Sequence, residues 1–118
     1  MSSAIDEALA GQVRAALEYK VFQGSGSKGF HCQGEITAAG ARYQASAQAV
    51  LIGSKKDPRM QVRASAGQVK DALTDLIRAG LPPKVFQSGK KGYYASGALQ
   101  VGAESYQAQV QAVLLAAR

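Results

Sequence analysis

Apolar residues recur at a helical spacing in two separate stretches of the chain. The first stretch contains Ile5, Leu9, Val13 and Leu17, and the second contains Val69, Leu73, Ile77 and Leu81. A four-residue spacing places such side chains along one stripe of an amphipathic helix. The pattern therefore predicts two helices, over roughly 3–18 and 67–81.

Both predicted helices begin with residues that are typical of helix starts. Ser3 with Asp6, and Ser65 with Gln68, can satisfy the free amides of a first turn with side-chain oxygens. The second predicted helix is expected to end at Gly80, because two prolines follow it within three residues.

After each predicted helix the pattern changes to alternation of apolar and polar residues. In YQASAQAVL at 43–51, the tyrosine, the alanines and the leucine point to one side, and the glutamines and the serine point to the other. Glycine-containing turns at 24–29, 38–41, 88–92 and 101–104 delimit three strands in each half. We expect an α+β fold in which an antiparallel sheet is backed by two helices.

The two halves of the chain resemble each other. KVFQ occurs at 20–23 and at 84–87, and YQASAQAVL at 43–51 matches YQAQVQAVL at 106–114 in seven of nine positions. This similarity predicts a tandem duplication of a helix–strand–strand–strand unit (αβββ-αβββ) within one pseudo-symmetric domain, residues 1–118. Repeat 1 spans 3–53, a connector spans 54–66, and repeat 2 spans 67–116. The alternation of Met60, Val62 and Ala64 in the connector is typical of a short extra strand.

The two sides of the predicted sheet differ in chemistry. The alanine side suits helices packed close to the strands, and the other side carries a lattice of glutamines and a serine: Gln44, Ser46, Gln48, Gln107, Gln109 and Gln111. A solvated face is one explanation, since antiparallel sheets commonly face water on one side. The shortage of charge favours a second explanation, in which the face binds a ligand or another subunit.

Strand parity separates the aromatic residues into two groups. Four share the parity of apolar neighbours and are expected in the core: Phe30, Tyr43, Tyr93 and Tyr106. His31 and Tyr94 have the opposite parity, and are therefore the better candidates for stacking against a ligand.

The charge of the chain is positive and unevenly distributed. The net charge is +6 and the isoelectric point is near 9.7. The predicted helices hold three basic and five acidic residues (−2), and the rest of the chain holds eleven basic and three acidic residues (+8). The positive charge therefore lies on the strands and turns, which favours a polyanionic partner.

The residues needed for several other functions are missing from the sequence. The single histidine, His31, is next to the single cysteine, Cys32, so the two point to opposite sides of a strand and do not share a metal. No catalytic, cofactor or metal motif is present, so we expect a protein that is not an enzyme. No apolar run is long enough for a membrane span and no signal peptide is recognisable, which favours a reduced, cytoplasmic protein.

The stretch SGKKGYYASG at 88–97 combines lysines, glycines and tyrosines, and GSGSKGFHCQG at 24–34 is a weaker version of it. Lysines contact phosphates, and aromatic rings stack on bases. We therefore expect sequence-tolerant binding of single-stranded DNA, or RNA, in an accessory role in replication, recombination or transcription. The candidate binding residues are Lys28, His31, Arg42, Lys55, Lys56, Lys84, Lys90, Lys91 and Tyr94.

A different class of function remains open. Lys90 and Lys91 can equally form a turn that only keeps the chain in solution, while the glutamine side pairs between subunits. The alternative is then a non-enzymatic interaction module that forms a homo-oligomer, a dimer or larger.

Tandem sheet-plus-helix units that carry a basic and aromatic strand, here KKGYY at 90–94, resemble whirly-type and purine-rich-element-binding single-stranded-DNA proteins. The resemblance implies a curved antiparallel sheet packed on helices, often in a dimer, with nucleic acid bound across the sheet. This chain differs from that pattern because its helix precedes its strands and each unit has three strands rather than four. The small size and duplicated organisation are also similar to accessory proteins of bacteriophages or plasmids.

Overall fold

The computed structural model describes residues 4–22, 26–54, 59 and 61–117. It is an α+β fold with two helices and one six-stranded antiparallel sheet. The elements are α1 (Ala4–Ala16), β1 (Glu18–Val21), β2 (Lys28–Ala38), β3 (Ala41–Leu51), α2 (Ala66–Ala79), β4 (Pro83–Val85), β5 (Lys91–Val101) and β6 (Glu104–Ala117). Helix, strand, strand, strand is thus the order in each half. This agrees with the predicted fold class, whereas duplication as the origin of the two halves stays a prediction.

The ends of α2 follow the predicted capping chemistry. The Ser65 hydroxyl accepts a hydrogen bond from the Gln68 amide at 3.2 Å, and the Gln68 side chain accepts one from the Ser65 amide at 2.9 Å. Gly80 ends the helix with a φ of 152°, a left-handed value that favours glycine. The predicted start at Ser3 of the first helix lies outside the described residues.

The strand order is β1-β2-β3-β6-β5-β4, so the two halves meet at the long central strands. Ala47 faces Val110 in the β3–β6 register, and all neighbouring strands are antiparallel. The edge strands are short: β1 has four residues and β4 has three. Residues that match between the halves in sequence therefore lie at matching places on opposite sides of the sheet centre.

Both helices pack on the alanine side of the sheet, as the alternation predicts. The inward alanines of β3 and β6 are fully or almost fully buried: Ala45, Ala47, Ala49, Ala108 and Ala112. Of the aromatic residues expected in the core, Phe30 and Tyr106 are buried, whereas Tyr43 and Tyr93 are partly buried and in contact, with ring centroids 6.1 Å apart. The small alanine side chains allow the helices to lie close to the central strands.

Two glycines allow adjacent strands to approach closely. A Cβ built on Gly29 would collide with the carbonyl oxygen of Ala49, and one built on Gly92 would collide with that of Ala112. Both glycines are part of the basic and aromatic stretches that the sequence singles out. The packing of these strands against β3 and β6 is thus sufficient to explain why glycine occupies both positions, and contact with a ligand is not needed as a reason.

The expected extra strand in the connector is absent from its described part, 61–65, and Met60 lies outside the described residues. The carboxylate of Glu104 explains this difference. It accepts hydrogen bonds from the amides of Arg63 at 3.0 Å and Ala64 at 2.8 Å, so those donors do not pair with a strand. The hydroxyl of Tyr106 donates to the same carboxylate at 2.8 Å. The connector is therefore tied to the start of β6 through side-chain contacts.

Candidate nucleic-acid interface

The side of the sheet opposite the helices carries polar residues and is called the open face below. It is formed by outward residues of the strands, chiefly His31, Gln33, Gln44, Ser46, Gln48, Tyr94, Ser96, Gln107, Gln109 and Gln111. All of these side chains are exposed or partly exposed. The two helices contact only the alanine side, so the open face is available to a ligand that lies across several strands.

Lys20, Phe22 and His31 form a cluster at one corner of the open face, called the His31 corner. The Phe22 and His31 rings meet edge to face with centroids 6.3 Å apart, and the Lys20 Nζ lies 5.5 Å from the centre of the Phe22 ring. The Phe22 amide donates to the carbonyl oxygen of Ser27 at 2.7 Å. This bond holds Phe22 next to the start of β2, where its ring lies beside His31.

Lys84, Phe86 and Tyr94 form the corresponding cluster at the diagonally opposite corner, called the Tyr94 corner. The Lys84 Nζ lies 4.2 Å from the centre of the Tyr94 ring and 5.5 Å from that of Phe86. The Phe86 amide donates to the carbonyl oxygen of Lys90 at 2.8 Å, which positions this ring as the Ser27 bond positions Phe22. Each corner therefore presents aromatic rings beside an ammonium group.

An uncharged strip, called the glutamine band, separates the two corners and consists of Ser46, Gln48, Gln109 and Gln111. These residues line a shallow depression of about 190 Å³ at the centre of the open face. The Gln48 amide nitrogen donates to the side-chain oxygen of Gln109 at 3.3 Å across the β3–β6 junction. The band offers hydrogen-bond donors and acceptors together, which suits the edges of nucleobases.

The electrostatic surroundings of His31 favour its neutral form. Partial burial and the positive charge of Lys20 lower the pKa of His31, and the nearby carboxylate of Glu18 only partly opposes them. His31 therefore presents a neutral ring at pH 7, and the positive charge of this corner comes from Lys20. The adjacent Cys32 points into the core, where burial raises the pKa of its thiol, so it is separated from the open face.

The predicted binding residues occupy three kinds of position. Four of them have the parity of the open face: His31, Arg42, Lys84 and Tyr94. Of these, Arg42 lies at the N-terminal end of β3 and forms an ion pair with Glu35 at 3.3 Å. Lys28 and Lys91 have the parity of Phe30 and Tyr93 and therefore belong to the helix side, near the rim of the sheet. Lys90 is in the β4–β5 turn, and Lys55 and Lys56 lie outside the described residues. Of the predicted binding residues that the structure describes, Lys84 and Tyr94 are brought into direct contact.

Three residues of the two corners were missed among the predicted binding residues: Lys20, Phe22 and Phe86. The signal for them is the sequence KVFQ, which occurs at 20–23 and again at 84–87. Each copy supplies the lysine and the phenylalanine of one corner. In each half these side chains lie beside the outward aromatic residue of the next strand, His31 or Tyr94.

A second depression, of about 640 Å³, lies between the connector and the β5–β6 turn and is lined in part by Arg59, Arg63 and Glu104. Burial alone would raise the pKa of Glu104, but the hydrogen bonds from Arg63, Tyr106 and Ala64 lower it on balance. This carboxylate is engaged in holding the connector. Among the described residues, no three histidine, cysteine, aspartate or glutamate side chains form a group that could hold a metal ion.

Neither described helix has the length and apolar composition that a bilayer-spanning helix requires. Comparisons of the chain with protein-family models, with curated proteins and with solved structures gave no match. The resemblance to whirly-type and purine-rich-element-binding proteins therefore stays a prediction from the sequence.

Proposed function

We propose that the open face binds single-stranded nucleic acid without strong sequence preference, with single-stranded DNA as the first ligand to test and RNA as the second. The observation that carries the proposal is the pair of corners, each with rings beside an ammonium group, joined by the uncharged glutamine band. Proteins that bind single strands combine the same two elements, cations along the backbone and aromatic platforms for bases. In this proposal the protein is a non-enzymatic, cytoplasmic accessory factor in replication, recombination or transcription.

The Tyr94 corner can accept a base although Lys84 covers its ring in the free protein. A cation–π contact at an exposed site is worth about 0.5–1 kcal/mol. Stacking of a base on an aromatic side chain is worth about 1–3 kcal/mol. Exchange of the ammonium group for a base is therefore favourable, and the displaced Lys84 is then close enough to contact a phosphate.

Double-stranded DNA is a poorer fit to this surface. The two helices carry three basic and four acidic residues, and two of their arginines pair with acidic residues of the other helix. Arg14 lies 4.0 Å from Asp71, and Arg78 lies 3.9 Å from Glu7. Neither helix thus has the basic surface that a groove-reading helix needs.

A fluorescence-anisotropy titration tests the proposal. We expect micromolar or tighter binding of a labelled thymidine oligonucleotide at about 50 mM salt, with weaker binding of a duplex of equal length. About three phosphate contacts, from Lys20, Lys84 and Lys90, predict a slope near −2 for log affinity against log salt. Absence of salt-sensitive binding at micromolar protein would refute the proposal.

Charge variants identify the surface that is responsible. Lys84→Gln should weaken binding severalfold, whereas Arg78→Gln removes the same charge from the helix side and should leave binding unchanged. If Lys90→Glu/Lys91→Glu binds as tightly as the unmodified protein, those two lysines are excluded from the interface and only the corners remain.

A second candidate function, self-assembly into a dimer or larger homo-oligomer, is favoured by the edges of the sheet. Among the described strands, none pairs with the outer edge of β2 beyond His31, and on the outer edge of β5 the last described backbone partner is Pro82, which accepts from the Tyr94 amide at 3.2 Å. Unpaired edges are templates for strand pairing between chains. Light scattering measures the mass, and Gln109→Lys/Gln111→Lys tests whether the glutamine band is used instead. A variant that loses the oligomer but keeps nucleic-acid binding would show that the two surfaces are separate.

A further inference from the structure

The two corners are related to each other by a half-turn about the centre of the sheet. In the β3–β6 register, Ala47 faces Val110, and on either side of this pair Gln48 faces Gln109 and Ser46 faces Gln111. The outer pairs follow the same relation, since Lys20 faces Gly29 as Lys84 faces Gly92. Rotation about the Ala47–Val110 pair therefore exchanges the His31 corner and the Tyr94 corner.

The helices show that the rotation axis is perpendicular to the sheet. Arg14 near the end of α1 approaches Asp71 near the start of α2, and Arg78 near the end of α2 approaches Glu7 near the start of α1. The helices therefore run antiparallel and are joined by two equivalent arginine–carboxylate contacts. Both helices lie on the same side of the sheet. The rotation thus keeps the open face outward and reverses every direction within its plane.

A nucleic-acid strand has a direction, and this determines how it can use the two corners. A strand that contacts one corner in the 5′ to 3′ sense would contact the other in the reverse sense if it continued straight across the face. Equivalent contacts at both corners require two strands that run in opposite directions. The geometry points to simultaneous binding of two antiparallel single strands, one at each corner, and hence to acceleration of annealing between complementary strands. This inference rests on the proposed single-strand binding.

The distance between the corners is sufficient for two strands. His31 and Tyr94 are three strand spacings apart across the sheet and two residues apart along it, which places their Cα atoms about 16 Å from each other. This distance is about twice the Debye length at physiological salt, so the repulsion between the two phosphate backbones is largely screened. Bases directed inward from both strands would meet over the uncharged glutamine band. Antiparallel orientation is also the one that complementary strands need for pairing.

The two corners should differ in affinity. Glu18 is in register with His31 and places a carboxylate at that corner, while Pro82 precedes β4 at the matching position of the other half. The Tyr94 corner also has Lys90 in its turn. We therefore expect the Tyr94 corner to fill first and the His31 corner to fill at higher ligand concentration.

Calorimetry with a short thymidine oligonucleotide of about six nucleotides tests the stoichiometry. Two oligonucleotides per chain are expected for the unmodified protein, and in either Tyr94→Ala or Phe22→Ala one of the two binding events should weaken severalfold while the other keeps its affinity. Energy transfer then tests the orientation: a 5′ donor strand should transfer more efficiently to a 3′ acceptor strand than to a 5′ acceptor strand. Complementary oligonucleotides with little secondary structure should anneal at least about tenfold faster at saturating protein, because both are held at high effective concentration.

The outcomes separate this inference from the proposed function. One oligonucleotide per chain, with binding lost in either single variant, would overturn the two-strand inference and leave single-strand binding intact. Two parallel strands, or binding without any acceleration of annealing, would also overturn it. Absence of binding to every oligonucleotide would refute the proposed function together with this inference.

Discussion

Replacement of Tyr94 by alanine should weaken the binding of single-stranded DNA by about eightfold. The variant loses a stacking platform worth about 1–3 kcal/mol, or about 2 kcal/mol in the middle of that range. In the unmodified protein the base must first displace the Lys84 ammonium, which lies 4.2 Å from the ring centre, and this exchange costs about 0.5–1 kcal/mol. The variant has no such contact to break. The net loss is therefore about 1.3 kcal/mol, equivalent to about an eightfold higher Kd.

The assay is anisotropy with a labelled thymidine oligonucleotide, together with a thermal melt that shows whether each variant is folded. Tyr94→Phe keeps the ring and should bind within about twofold of the unmodified protein. Tyr19→Ala is the matched control, because Tyr19 is 52% exposed but has the parity of Phe30 on the helix side. Equal losses for Tyr19→Ala and Tyr94→Ala, or no loss for Tyr94→Ala, would refute the assignment of stacking to the open face.

Three further predictions concern glycine packing, pH and the connector. Gly92→Ala should destabilise the fold by about 1–3 kcal/mol in urea titration, whereas Gly11→Ala, with free space in helix α1, should stabilise it by about 0.5–1 kcal/mol. Acidification through the lowered pKa of His31 adds a second positive charge beside Lys20, so oligonucleotide affinity should rise as the pH falls, and His31→Gln should remove this rise. Glu104→Gln should lower stability by about 1 kcal/mol at neutral pH. Because the pKa of Glu104 is lowered by folding, that stabilisation is present above the unfolded-state pKa and is lost as the pH falls through the folded-state value.

Each of these predictions has a result that contradicts it. Equal effects of alanine at positions 92 and 11 would show that the close approach of β5 to β6 is not required. A pH dependence of binding that survives in His31→Gln would assign the titration to another group. A stability difference between Glu104→Gln and the unmodified protein that persists unchanged in strong acid would mean that the ionised carboxylate is not the stabilising form.

Much of the fold could be predicted because its periodic signals are strong and local. The four-residue spacing of Ile5, Leu9 and Val13 defines a buried helical stripe, and these three residues are in the core. The alternation in 43–51 separates buried alanines from outward glutamines, as the structure shows. Ser65 and Gln68 form the predicted capping box. In each case the pattern involves residues that are close in sequence, so it can be recognised from the sequence alone.

The candidate site could be predicted only in part because it is made by turns and register. Phe22 and His31 are nine positions apart, and they meet where the Phe22 amide donates to the Ser27 carbonyl at the start of β2. Lys28 precedes a predicted stacking residue by three positions, but the pleat turns it toward the helix side. The connector likewise shows apolar alternation, yet a single distant carboxylate, Glu104, takes its amides. These side-chain positions and the missing connector strand depend on contacts between residues far apart in sequence, which local periodicity does not predict.

An NMR titration of the isotope-labelled protein with a thymidine oligonucleotide shows which surface of the protein binds the ligand. If the open face is the binding surface, amide shifts should change in Lys20–Phe22, His31, Lys84–Phe86 and Tyr94 and along the glutamine band, while the solvent-facing residues of α1 and α2 remain unchanged. Shift changes that are confined to the helices or to the connector, with the two corners unaffected, would show that the open face is not the binding surface.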